Sequence, residues 1–127
     1  MDTPAVWHAI VKQRDPAALD ALLADDVVFH SSVVHPPQVG RAITAKYLAG
    51  ALRVLNHAEF HYVREIVGPR DAVLEFTARI DDVLVNGVDL IRWGDDGRIT
   101  EFKVMVRLLK AVHALRHKMG ELLQREP

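Results

Sequence analysis

The chain has 127 residues, 50% hydrophobic and 26% charged, enough for one compact domain over residues 1–127 with a substantial core and little room for a second. Its formal net charge is −1, with no concentrated basic stripe, so no nucleic-acid partner is expected. Cysteine is absent, which excludes disulfides, thiolate metal sites and cysteine nucleophiles and fits a cytoplasmic location.

The opening segment MDTPAVWHAIVKQRD carries an acid at position 2 and lacks the apolar run of a signal peptide or membrane span. A soluble intracellular protein without a membrane partner is expected. Thr3-Pro4 and Asp15-Pro16 each set a capping side chain before a proline suited to a first helical turn, which predicts two short helices. Ala17, Leu19, Leu22 and Leu23 give the second an apolar side. Asp26 to His30 reads as a short strand, and Ser31 to Gly40 as a long loop. Ile43, Tyr47, Leu48, Ala51, Leu52 and Leu55 recur at helical spacing, predicting a helix from about Arg41 to Leu55.

From Glu59 to Arg107, β-rich runs alternate with turn signals at Gly68-Pro69-Arg70-Asp71, Asp81-Asp82 and Asp96-Gly97. This predicts a meander of four long antiparallel strands. Asn86-Gly87 reads as a bulge or an alternative turn. Leu108, Val112, Leu115, Met119 and Leu122 follow 4-3-4-3 spacing, the mark of a C-terminal amphipathic helix. The fold class is α+β: a curved antiparallel sheet forming a cone, covered by the N-terminal helices, with the C-terminal helix added and a chamber inside.

The hairpin around Asp96-Gly97 supplies the best functional lead. With those two residues as the turn, Trp93 faces Thr100, Ile91 faces Phe102 and Asp89 faces Val104. Alternation then puts Asp89, Ile91, Trp93, Thr100, Phe102, Val104 and Val106 on one face, and Arg92 opposite Glu101 on the other. Asp89 is an acid on an apolar face. It reads as a general acid or base whose pKa is raised by desolvation, or as a structural carboxylate hydrogen-bonded to Tyr47, a histidine or a backbone N–H.

Closing the Pro69-Arg70 turn sets His61 opposite Ala78 and Arg64 opposite Glu75, so His61 is expected to share the chamber with Asp89. A one-residue change in that loop would turn it outward. The direction of His30 is open. Convergence of His30, His61 and Asp89 would make a proton shuttle or a two-histidine, one-carboxylate metal site. Their wide separations carry no metal signature, so neither metal nor cofactor is expected. His113 and His117 share a helix face and read as a solvated flank, and His35 lies in the long loop. Trp7 and Tyr47 can overlook the sheet with a polar tip inward, beside Phe76, Trp93, Phe102 and Val104. Tyr62, Arg64, Val73, Glu75, Leu90 and Met105 make up a mixed outer face.

The helix-helix-strand-helix-meander order, DDVVFH after the second helix and GVDLIRWGDDGRITEF near the end resemble the nuclear transport factor 2-like superfamily, and within it the SnoaL-like group. The resemblance covers nearly the whole chain. It implies a cone fold, a homodimer through the sheet, and an activity drawn from cyclases, ketosteroid isomerases, dehydratases, epoxide hydrolases or non-catalytic binding proteins. It also implies that Asp89 occupies a position on the penultimate strand where many relatives carry a polar or acidic pocket residue. Arg92 lies three residues from Asp89, on the opposite face, which argues against epoxide-hydrolase chemistry. Isomerases of this fold pair a carboxylate base with a tyrosine and a protonated acid; Tyr47 is available, and no second acid is aimed at the cavity. Where the cyclases have an acid-base residue near the last strands, this chain has Val104 and Val106. The expectation is a pocket for a small apolar molecule, with Asp89 and His61 as catalytic residues and Trp7, His30, Tyr47, Phe76, Trp93, Phe102 and Val104 as ligand contacts. The reaction would be an isomerisation, cyclisation or dehydration of an apolar carbonyl compound. The alternative is a non-catalytic binding or interaction module of the same fold.

Overall fold

A computed structural model describes residues 2–55 and 59–125, leaving aside the side chain of Arg125. Two helices, α1 (Thr3–Gln13) and α2 (Pro16–Leu22), lead into strand β1 (Leu23–His30). A two-residue strand, β2 (Gln38–Val39), precedes α3 (Arg41–Leu55). The meander β3 (His61–Val67), β4 (Asp71–Ile80), β5 (Val83–Trp93) and β6 (Ile99–Arg107) follows, and α4 (Leu109–Arg125) closes the series. The strands form one curved, unclosed sheet in the order β2-β1-β6-β5-β4-β3. The meander is antiparallel throughout, while β1 joins β6 in parallel, with Phe29 beside Phe102. The loop expected over residues 31–40 contributes β2, whose Val39 and Gln38 pair with Val28 and Phe29. Among the described residues no helix is long and apolar enough to cross a membrane.

Local chemistry explains the element ends. Asp2, one residue earlier than expected, caps α1 by accepting from the Ala5 N–H at 3.2 Å. Thr3 is thereby freed to donate its hydroxyl to the Gly97 carbonyl at 2.7 Å, tying α1 to the β5–β6 turn. Asp15 caps α2 as expected, accepting from the N–H groups of Ala17 and Ala18. Ile80 pairs with Val83 around a two-residue Asp81-Asp82 turn, and Asp81 takes a φ of +52°, as such a hairpin requires.

The β5–β6 turn differs from its expected form. The Gly97 N–H donates to the Gly94 carbonyl at 3.0 Å and Gly97 has φ +81°, so Asp95-Asp96 are the central residues and Gly97 supplies the left-handed position after them. Trp93 consequently pairs with Ile99, and a bulge at Thr100 restores the expected register from Arg92–Glu101 inward, including Asp89–Val104. Ile99, fully buried, takes the inner place expected for Thr100.

Asn86-Gly87 is neither bulge nor turn; it runs straight through β5 opposite Thr77 and Phe76. The glycine is required by contact, since a Cβ there would lie 2.3 Å from Cζ of Phe76. The inner face of the sheet and α1 to α3 enclose one apolar cluster around Trp7, Leu19, Leu23, Phe29, Leu74 and Phe102. A second gathers Phe76, Ala78, Ile80 and Val85 against α4. The buried stripe of α4 is Ala111, Leu115 and Met119, four residues apart, whereas Leu108 before it is 66% exposed. α4 lies close to α3 at Gly50, where a Cβ would come within 3.2 Å of Met119 Cε.

Candidate functional site

Asp89 sits mid-strand in β5, between Leu74 and Val104, and points to the inner face with 6% of its surface exposed. It lines a chamber of about 30 Å³ together with Trp7 of α1, Leu48, Ala51, Leu52 and Leu55 of α3, Phe60 and Tyr62 before and in β3, and Phe76, Phe102 and Val104 of the sheet. That volume is room for a water molecule. A drug-sized ligand occupies a pocket of roughly 300 Å³ or more, so such a ligand needs the chamber to widen. Of its lining residues Ala51, Leu52, Phe60 and Tyr62 are half-buried.

A directional chain of hydrogen bonds crosses the site. The Trp7 indole N–H donates to the Tyr62 hydroxyl oxygen at 2.9 Å, and that hydroxyl donates to Oδ2 of Asp89, also at 2.9 Å. Burial pushes the Asp89 carboxyl up to about 7, against the opposing pull of the Tyr62 hydrogen bond. Burial, and then the Asp89 charge beside it, drive Tyr62 far above the usual phenol range, so it keeps its proton and remains a donor. Among the described residues, Tyr62 is the one donor to Asp89. Outside this chain His8 of α1 pairs with Glu65 of β3, and the His8 ring meets the Tyr62 ring edge-on at 5.0 Å.

Tyr62 is the residue that sequence reasoning put on the wrong face. The expected pairings Arg64–Glu75 and Glu65–Leu74 hold, but a bulge at Val63 shifts the strand by one residue before them. Tyr62 therefore pairs with Phe76 and turns inward, and His61 pairs with Thr77 and is exposed. This corrects the expected placement of His61 beside Asp89, by the one-residue change of phase that a bulge imposes. A signal for it exists: Phe60 and Tyr62, two aromatic residues in alternation, share parity with the charged Arg64, so the inward phase must break between 62 and 64.

His30 is likewise outside the chamber. β1 pairs Val28 with Glu101 and His30 with Lys103, all on the outer face, and the His30 ring lies 3.4 Å from the Glu101 carboxylate. Tyr47 packs against Phe29, with ring centroids 5.9 Å apart, instead of lining the chamber. Trp93 is core, 9% exposed, and also does not line it. The structure thus brings Trp7, Phe76, Asp89, Phe102 and Val104 together and adds Phe60, Tyr62 and the α3 side chains. No group of three His, Asp or Glu among the described residues could hold a metal ion.

Residues 5–102 match the model of a family described as the SnoaL-like domain. No curated protein matches. Among solved structures, the chain is similar to a steroid delta-isomerase from Pseudomonas aeruginosa, with 38% identity, a TM-score of 0.91, and coverage of 97% of this chain and 90% of that one. A protein with a cystatin-like fold from Silicibacter pomeroyi shows 32% identity and a TM-score of 0.91 over 98% of this chain and 87% of that one. A nuclear transport factor 2-like protein from Mesorhizobium loti, at 24% identity and a TM-score of 0.69, covers 84% of this chain and 91% of its own and shares the fold.

Proposed function

The chain belongs to the SnoaL-like family, within the nuclear transport factor 2-like superfamily, and from that premise we propose that its inner chamber binds a small apolar carbonyl compound on which Asp89 moves a proton. The observation that carries this is the buried Asp89 carboxyl, held by one hydroxyl in an aromatic-walled chamber. With its carboxyl pushed up to about 7, Asp89 holds both protonation states near neutral pH, the condition an acid-base group needs. As carboxylate it takes a proton from the carbon beside the carbonyl, and the C–H electron pair becomes that of an enolate. The Tyr62 hydroxyl, no longer facing an anion, turns its proton to the enolate oxygen. Asp89 then returns its proton to a different carbon of the conjugated system, and the net change is an isomerisation. Trp7 supports this by donating to the Tyr62 oxygen. Similarity to a steroid delta-isomerase over nearly the full chain supports the reaction class.

The test uses a compact β,γ-unsaturated ketone, 3-cyclohexen-1-one, alongside a Δ5-3-ketosteroid, and follows the absorbance of the conjugated product. Turnover that falls about a hundredfold or more in Asp89→Asn is expected for loss of a general base. Unchanged turnover in that variant removes Asp89 from the mechanism. A second reading, a non-catalytic interaction module whose cavity is filled by its own side chains, is favoured by the volume of about 30 Å³; neither binding nor turnover of either ketone would support it.

The outer face of the sheet is proposed as a homodimer surface. Two grooves of about 370 Å³ each adjoin there and share Ile66 and Val73, and Met105 is 50% exposed beside them. Mixed apolar and paired charged groups, Arg64 with Glu75 and Arg92 with Glu101, suit an interface between copies.

A further inference from the structure

Five of the chain's eight aromatic residues, Trp7, Phe60, Tyr62, Phe76 and Phe102, line one chamber of about 30 Å³ in which, among the described residues, the one charged side chain is that of Asp89. The rings brace one another. Phe60 stacks on Phe76 with centroids 5.2 Å apart and meets Tyr62 edge-on at 5.0 Å, and Trp7 meets Phe102 edge-on at 4.9 Å. A compact ligand is the one that needs the least widening, and a compact neutral molecule has little apolar area from which to gain affinity. Charge can supply what area cannot. Aromatic rings attract a cation through their quadrupole, most strongly where water is excluded, and a buried carboxylate without a positive partner is an uncompensated charge. Tyr62 occupies Oδ2 of Asp89, while Oδ1 accepts no hydrogen bond from the described residues.

We infer that the Asp89 chamber takes a compact alkylammonium cation, its N–H directed to Oδ1 of Asp89 and its alkyl groups enclosed by the aromatic rings. This rests on the reading of the chamber as a ligand site, and it names a ligand class beyond carbonyl compounds. The same buried carboxylate serves both: it faces the C–H beside a ketone's carbonyl, or the N–H of a cation. The His8 ring and the Glu65 carboxylate beside Tyr62 already pair with each other, so neither competes for the guest.

The probes are tert-butylammonium chloride and tert-butyl alcohol, which share a shape and differ in charge, with 3-cyclohexen-1-one as a neutral carbonyl control. Binding is read from the shift of the assigned Trp7 indole N–H resonance. The ammonium ion is expected to bind at least tenfold tighter than the alcohol, and Asp89→Asn, checked for its native spectrum, is expected to erase that preference. The first comparison uses the unaltered protein and stands whether or not the variant folds. Equal affinity for ammonium and alcohol overturns the inference, as does a preference retained in Asp89→Asn. Binding of the ketone alone overturns the inference and leaves the chamber a ligand site. Binding of none of the three overturns both.

Discussion

Asp89 and Tyr62 form a pair whose two members differ in how far they could be read from the sequence. Asp89 was legible because its orientation follows from a nearby hairpin whose register is supported by Arg92 opposite Glu101. Tyr62 was not, because its orientation depends on a single extra residue, Val63, in an edge strand. The pH dependence of stability follows from the raised carboxyl. Below its ordinary value of 3.8, Asp89 is protonated in both folded and unfolded chains and contributes no difference. Between 3.8 and about 7 the unfolded chain has released the proton that the folded chain still holds, so stability falls as pH rises, and the loss is complete above about 7. A displacement of that size corresponds to on the order of 4 kcal/mol. Asp89→Asn removes this slope, so the stability of the variant relative to the parent is expected to rise between pH 4 and pH 8, as urea unfolding at each pH will report. Tyr62→Phe should act oppositely on the same carboxyl. It strips Asp89 of a donor and Trp7 of an acceptor, an expected destabilisation of about 1–3 kcal/mol, and drives the Asp89 titration higher still, as a carboxyl-resonance NMR titration can follow.

At the level of elements, two strand bulges and one glycine aim the site. The Val63 bulge turns Tyr62 inward, and the Thr100 bulge reconciles the Gly94–Gly97 turn with the register that places Asp89. The third is Gly87, where the Phe76 ring crosses β5 in the space a side chain would fill. Gly87→Ala is expected to cost about 1–3 kcal/mol by overpacking, measured by denaturant unfolding, and Phe76→Leu in the same chain should recover part of it. A deficit unaffected by the second change would place the strain elsewhere. Helix existence, by contrast, was legible throughout: α3 spans the expected Arg41–Leu55, because apolar periodicity of that length admits few other structures. The face of α4 was less so. Its buried stripe runs through the small Ala111 in place of the larger Leu108, since close packing against α3 and the sheet favours the small side chain.

For the whole molecule, the inner and outer faces of one sheet carry separate expectations. The inner face encloses the Asp89 chamber; the outer face holds the proposed contact between copies. Met105→Glu puts a charge at the edge of the outer grooves, so sedimentation should show a dimer for the parent and a monomer for the variant, with the Trp7 resonance unchanged. A monomeric parent, or a dimer indifferent to the substitution, would remove this face as the interface.

The sequence by itself determined the order of the helices and of every strand but the short β2, the α+β cone, the meander and the inward direction of Asp89, because periodicity, capping and two-residue alternation are local and repeat over many residues. Only the tertiary structure decided which residues meet that acid. His61 and Tyr62 exchanged faces at one bulge, His30 took the outer face through a parallel pairing with β6, and Trp7 reached Tyr62 from a helix 55 residues away in the chain. Contacts of that kind are fixed by how separate elements pack, and a one-residue change of phase, invisible to composition, reverses every side chain it touches.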